Sequence, residues 1–212
     1  LLIKFFETSM EGNMFFRLRV YFTLFIFSIL SLQCFGLDHI YETYSYPSYG
    51  QASKLKSYDL NITLNICCHY PNSYEISNVI RSGANKLIIR GGHFPTKDQI
   101  KVIESAGIDY EIILSEVFPS DQNILDINNS NILKLTIFSK DFPYLGEVQA
   151  FNQINKNVRF DITKGEFPTM EHMIVIRQFK SEITVGFYNK VPPGPGYANF
   201  FNDLRTKKVF II

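Results

Sequence analysis

The sequence predicts an α/β fold in which 24-residue β/α repeats close into a compact eight-stranded parallel β/α barrel. Three observations carry this expectation. Aromatic-Pro pairs recur at Tyr46-Pro47, Tyr70-Pro71, Phe94-Pro95, Phe118-Pro119, Phe142-Pro143 and Phe167-Pro168, and Val191-Pro192 continues the series. These prolines stand 24, 24, 24, 24, 25 and 24 residues apart, which is an internal repeat. Each unit then holds a helix-period apolar pair and a β-rich segment, and alternating helices and parallel strands imply right-handed crossovers.

The elements follow in the same order in every unit. Each proline opens a polar stretch suited to the first turn of a helix. Acidic residues favour that turn, as Asp98, Asp121, Glu147 and Glu171 do, where the helix dipole stabilises them. Apolar pairs three residues apart form one helical face: Ala52/Leu55, Ile76/Val79, Ile100/Ile103, Ile124/Ile127, Val148/Phe151, Met173/Ile176 and Tyr197/Phe200. Ser82-Gly83, Ala106-Gly107 and the Asn128–Asn131 segment mark helix stops. Strands are expected at Tyr41–Tyr46, Leu60–Ile66, Lys86–Arg90, Tyr110–Ser115, Leu133–Phe138, Val158–Thr163, Ile183–Tyr188 and Val209–Ile212. The aromatic before each proline is expected to stack on its neighbours as a buried spine.

A second architecture uses the same elements. Leu87-x-Ile89, Leu135-x-Ile137 and Phe160-x-Ile162, each followed by Phe-Pro, resemble the leucine-rich-repeat family, whose period includes 24 residues. That resemblance implies an open β/α solenoid. The family's asparagine is missing: its place holds Cys68, Gly92, Glu116, Lys140, Gly165 and Asn189. The apolar phase also slips by one residue between units, as in Leu87/Ile89 against Ile112/Leu114. A barrel with one residue of shear per strand expects such a slip. Closure would also remove the exposed edge of Val209–Ile212. The slip favours the barrel; the short chain and the alternating polarity of Val158–Thr163 favour the solenoid.

Composition sets wider bounds. The chain has 212 residues, 46% hydrophobic and 19% charged, with a formal net charge of +1, which argues against a nucleic-acid binder. Arg17 and Arg19 precede an apolar run from Val20 to Leu32, the order of a signal peptide. The division expected is upstream or fragment residues 1–13, a signal peptide over 14–36 and one repeat domain over 37–212. An uncleaved anchor is the alternative, and membrane contact is expected only through this segment. Secretion or a periplasmic location follows. Cys67 and Cys68 are adjacent, a geometry that disfavours a bridge between them, so core packing is expected for both.

No catalytic signature is present, and the sequence names no cofactor. A column two residues before each proline reads Ser45, His69, His93, Val117, Asp141, Glu166 and Lys190. These positions fall at the strand carboxyl ends, where barrel sites are built. His69 and His93 are the candidate metal ligands. Glu116, Asp141 and Glu166 are the candidate acid-base groups, with Arg90 beside them. Against this, a residue next to a buried aromatic faces solvent, where polar side chains are ordinary.

The short, uniform loops favour a binding or structural module whose ligand or protein partner is unknown. A small hydrolase or lyase using the rim residues is the alternative, resting on analogy with other barrels. A third reading is a peptide-binding solenoid with an exposed polar strand face. The solvent accessibility of Arg159, Asp161 and Thr136 separates it from the other two.

Overall fold

The computed structural model describes residues 38–164, 168–187 and 208–211. The expected signal peptide, Glu166 and the proline-rich segment 192–196 lie outside the described residues.

The expected alternation is present. In chain order the elements are β1 (Asp38–Thr43), α1 (Tyr49–Lys56), β2 (Asn61–Cys67), α2 (Ser73–Arg81), β3 (Lys86–Gly91), α3 (Lys97–Glu104) and β4 (Asp109–Ser115). They continue as α4 (Asp121–Asn128), β5 (Lys134–Ser139), α5 (Leu145–Phe151), β6 (Val158–Lys164), α6 (Met170–Ile176), β7 (Glu182–Phe187) and the short β8 (Lys208–Ile211). Every adjacent strand pair is parallel, and the sheet order is the chain order.

The sheet is not closed. The described pairings leave β1 bonded to β2 alone and β8 to β7 alone. The barrel expectation is corrected to an open, all-parallel β/α array. The register nevertheless carries the one-residue stagger that shear would give. Facing residues are 23 apart in six successive pairs: Tyr41 with Leu64, Ile66 with Ile89, Ile89 with Ile112, Ile112 with Leu135, Leu135 with Val158 and Phe160 with Ile183. The prolines recur at 24 or 25, so each strand from β2 to β6 ends further along than the one before it.

That stagger has a local consequence, because side chains alternate between the two faces of a strand. The last residue of β1, β3 and β5 falls on the helix-covered face, and the last residue of β2 and β4 on the helix-free face. After β2 and β4 the next residue takes a left-handed conformation, Cys68 at φ 90° and Glu116 at φ 56°. Apart from Asp59 these are the non-glycine residues with positive φ among those described. The left-handed step re-aims the chain so that the aromatic-Pro pair returns to the helix side. The apolar slip of the sequence is thus absorbed at strand exits without closure.

Among the described residues each of the repeat prolines stands two places earlier than expected, before the N-cap rather than at the first helical position. Pro47 precedes the N-cap, and Ser48, Asn72, Thr96, Ser120 and Thr169 accept hydrogen bonds from the backbone of the first turn. The third helical residue reaches back: Gln51, Glu75, Gln99 and Asn123 each accept from the N-cap amide. Tyr144 breaks the series. It offers no side-chain cap, while Glu147 still accepts its amide at 2.7 Å. Gly83 (φ 72°) and Gly107 (φ 65°) end α2 and α3.

One core lies between helices and sheet. Leu64, Ile66, Leu87, Ile89, Ile112, Leu114, Leu135, Ile137, Phe160 and Ile162 meet Ile76, Val79, Ile103, Ile127, Val148 and Phe151. The aromatic spine differs from expectation in its contacts. The Tyr46 ring meets the His69 ring edge-on at 5.1 Å, and its hydroxyl donates to the His69 carbonyl. Tyr70 repeats this on His93, with rings at 5.3 Å and a 2.6 Å hydrogen bond. Each tyrosine therefore clasps the strand-to-helix turn of the next unit. Tyr46, Tyr70, Phe94 and Phe142 are buried, but Phe118 is 36% exposed and edges onto Phe151.

Candidate binding face

The rim residues singled out by sequence fasten the turns. His69 Nε2 lies 2.9 Å from Glu75 Oε1, joining the turn to the α2 cap. His93 Nδ1 contacts the Phe94 carbonyl at 2.7 Å. Glu116 Oε1 accepts from the Lys140 amide of the next unit at 2.8 Å. The Asp141 amide donates to Ser139 Oγ, and that hydroxyl contacts the Asp141 carbonyl. Glu166 lies outside the described residues. His93 and Asp141 follow strands two places apart in the sheet, ~10 Å at the usual interstrand spacing. Among the described residues no group of three or more His, Cys, Asp or Glu is placed to hold a metal ion. In each contact a side chain fastens its turn to a cap or to nearby backbone.

The helix-free face carries the organised polar chemistry. Lys86 Nζ lies 2.7 Å from Glu111 Oε1 across β3 and β4. Arg159 Nε donates to Asp161 Oδ1 at 2.7 Å, which holds the guanidinium in its charged form and raises its pKa further. Long side chains shield the short ones between them in the middle of the sheet. Thr136 and Asp161 are buried at 8% and 7% exposure, and Arg159 is intermediate. The peptide-binding reading needed these three to be open, and they are not uniformly so.

The β1–β3 end is different. Asn65, 8% exposed, sits between two exposed charged residues. Its amide donates to Glu42 Oε1 at 2.8 Å, and its carbonyl accepts from Arg90 Nε at 3.1 Å. The Arg90 guanidinium also comes within 3.6 Å of Glu42. Glu42, Thr43, Tyr44, Asn65, Cys67 and Arg90 line a cavity of about 310 Å³. Cys67 and Cys68 form a disulfide. This corrects the expectation of two packed thiols: Cys67 is half-buried and Cys68 exposed, at the strand exit rather than in the core.

The sequence pointed to Arg90 but missed Glu42 and Asn65. They share a face only through the 23-residue register, which the 24-residue proline period conceals. No protein-family model, curated protein or solved structure matches this chain.

Proposed function

We propose that this protein is a secreted or periplasmic binding module that meets its ligand on the helix-free face of the sheet. The observation that carries the reading is the division of labour between the faces. One face is consumed by packing against the six described helices, while the other holds charged pairs and a lined cavity. Short, similar strand-to-helix turns, spent on capping and on clasping the next unit, support binding over catalysis. The Cys67–Cys68 bridge supports an oxidising compartment, and the apolar run after Arg19 supports export. In this reading the array is a leucine-rich-repeat-like solenoid, in which stacked units present a continuous strand face.

The test is an immobilised panel of glycans, peptides and lipids probed with the intact protein. Arg90→Ala and Phe138→Asp alter the helix-free face; Leu125→Asp alters an exposed site on α4. The reading expects binding that weakens in a face variant and persists in Leu125→Asp. Binding to no probe, or binding that neither face variant weakens, would leave a structural role as the better account.

The one-residue stagger favours a second reading. One residue per strand is also the stagger that an eight-stranded barrel would use. Closure would ring His69, His93, Glu116, Asp141 and Glu166 around one mouth, as a small hydrolase or lyase requires. A β1–β8 contact in solution is the observation that reading needs.

A further inference from the structure

The geometry points to a site for a neutral, polyhydroxylated small ligand of about one sugar ring in the cavity formed by Glu42, Tyr44, Asn65, Cys67 and Arg90. This rests on the binding-face reading and narrows it to a ligand class.

Glu42 and Arg90 sit side by side, so the cavity offers an acceptor and donors with no net charge. An anionic ligand would meet the Glu42 carboxylate, and a cationic one the Arg90 guanidinium. Vicinal hydroxyl groups each donate and accept, so a single diol satisfies both partners at once. Asn65 makes the pair a built feature. Its side chain is buried, and both its ends are committed, one to Glu42 and one to Arg90. The guanidinium has N–H groups beyond the one held by Asn65, and the carboxylate has a second oxygen.

Shape and apolar surface agree. A volume of about 310 Å³ is at the small end of ligand cavities, the size of a monosaccharide rather than a peptide segment. Tyr44, 84% exposed, and the disulfide-bonded Cys67 are among the residues that line it. A sugar ring pairs polar edges with C–H faces, and an aromatic ring and a thiol-free sulfur surface suit the latter. The disulfide also ties Cys67 to the left-handed Cys68 at the exit of β2, fixing that lining residue against the turn.

The experiment titrates the intact protein with D-glucose, D-galactose and D-mannose, followed by saturation-transfer NMR and calorimetry. Glycine and citrate serve as zwitterionic and anionic probes. At least one hexose should bind, with Arg90→Met weakening it by about tenfold, the worth of a lost charge-assisted hydrogen bond. Glu42→Gln should weaken it less. Both side chains are exposed but each bonds the buried Asn65, so binding is compared at a temperature at which melting curves show every variant folded. No hexose binding, binding unchanged in Arg90→Met, or preferential binding of glycine or citrate would overturn the site. Face-dependent binding on the panel to a peptide or lipid, with no hexose response, would overturn this inference and leave the binding-face reading standing.

Discussion

Gly91→Ala should destabilise the protein, although alanine is ordinarily the better residue in a strand. Gly91 ends β3, and its backbone is not in the left-handed region, so conformation does not forbid a side chain. Space does. A Cβ there would stand 2.6 Å from the Tyr70 hydroxyl, 2.9 Å from its ring carbon Cζ and 3.1 Å from Leu114 Cδ2. Tyr70 cannot simply retreat, because its hydroxyl donates to the His93 carbonyl at 2.6 Å and its ring is buried. Overpacking of this kind costs about 1–3 kcal/mol, and the displaced hydrogen bond about 1 kcal/mol more. The reduced entropy of the unfolded chain returns about 0.4–1 kcal/mol. The expected net loss is ~1–3.5 kcal/mol by denaturant titration. The control is the same substitution in a Tyr70→Ala background, where the tyrosine clash is gone, only the 3.1 Å approach to Leu114 remains, and Gly91→Ala should cost much less. A neutral or stabilising Gly91→Ala in the parent protein, or an undiminished cost in the Tyr70→Ala background, would refute the clasp.

Three further outcomes are expected. Phe142→Ala should cost ~3–5 kcal/mol, because the ring is 4% exposed and stacks on His172 at 4.7 Å, whereas Phe118→Ala should cost about 1–2 kcal/mol; equal losses in denaturant titration would show that the two rings are equally buried. Tyr144→Asn should raise the melting temperature by supplying the missing α5 cap, while Thr96→Ala should cost ~1 kcal/mol; a Tyr144→Asn variant no more stable than the parent would contradict the capping account. Burial raises the pKa of the Tyr46 and Tyr70 phenols, with the Glu75 carboxylate adding to the effect at Tyr46. Both stay protonated in the fold while the unfolded chain ionises near ~10. Stability should therefore be intact below that pH and fall above it by about 1.4 kcal/mol per pH unit per tyrosine. Tyr70→Phe should flatten the alkaline slope, and an unchanged slope would show that the phenol ionises freely in the fold.

The fold was legible to the extent that local chemistry dictates it. Proline spacing marked the units, and pairs such as Ile76/Val79 and Ile100/Ile103 lie on the buried helical faces as their spacing requires. Closure was not legible, because the slip between Leu87/Ile89 and Ile112/Leu114 has two physical solutions. A barrel accommodates it by shear around a ring. This chain accommodates it with left-handed residues at Cys68 and Glu116, a conformation that neither residue type announces. The rim column misled for a related reason. His69 and His93 are polar at a strand end, yet their surroundings show tyrosine clasps and caps, contacts between units that one unit's sequence cannot display. The Glu42–Asn65–Arg90 chain needs two cross-strand registers to become visible.

The open sheet is what leaves one strand face accessible to a ligand, and a single distance tests it. Spin labels at Ile40→Cys and Phe210→Cys, in a Cys34→Ser background, report the separation of β1 and β8 by pulsed electron resonance. These strands are the two ends of the sheet order, seven interstrand steps apart. At the usual ~4.8 Å per step the path across the sheet is about 34 Å, and twist shortens the direct distance. The open array predicts a label separation above about 20 Å. A narrow distribution near ~5–10 Å, the distance between neighbouring strands with their labels, would mean that β1 and β8 pair. The helix-free face would then be the inside of a barrel, and the binding-face account would be wrong.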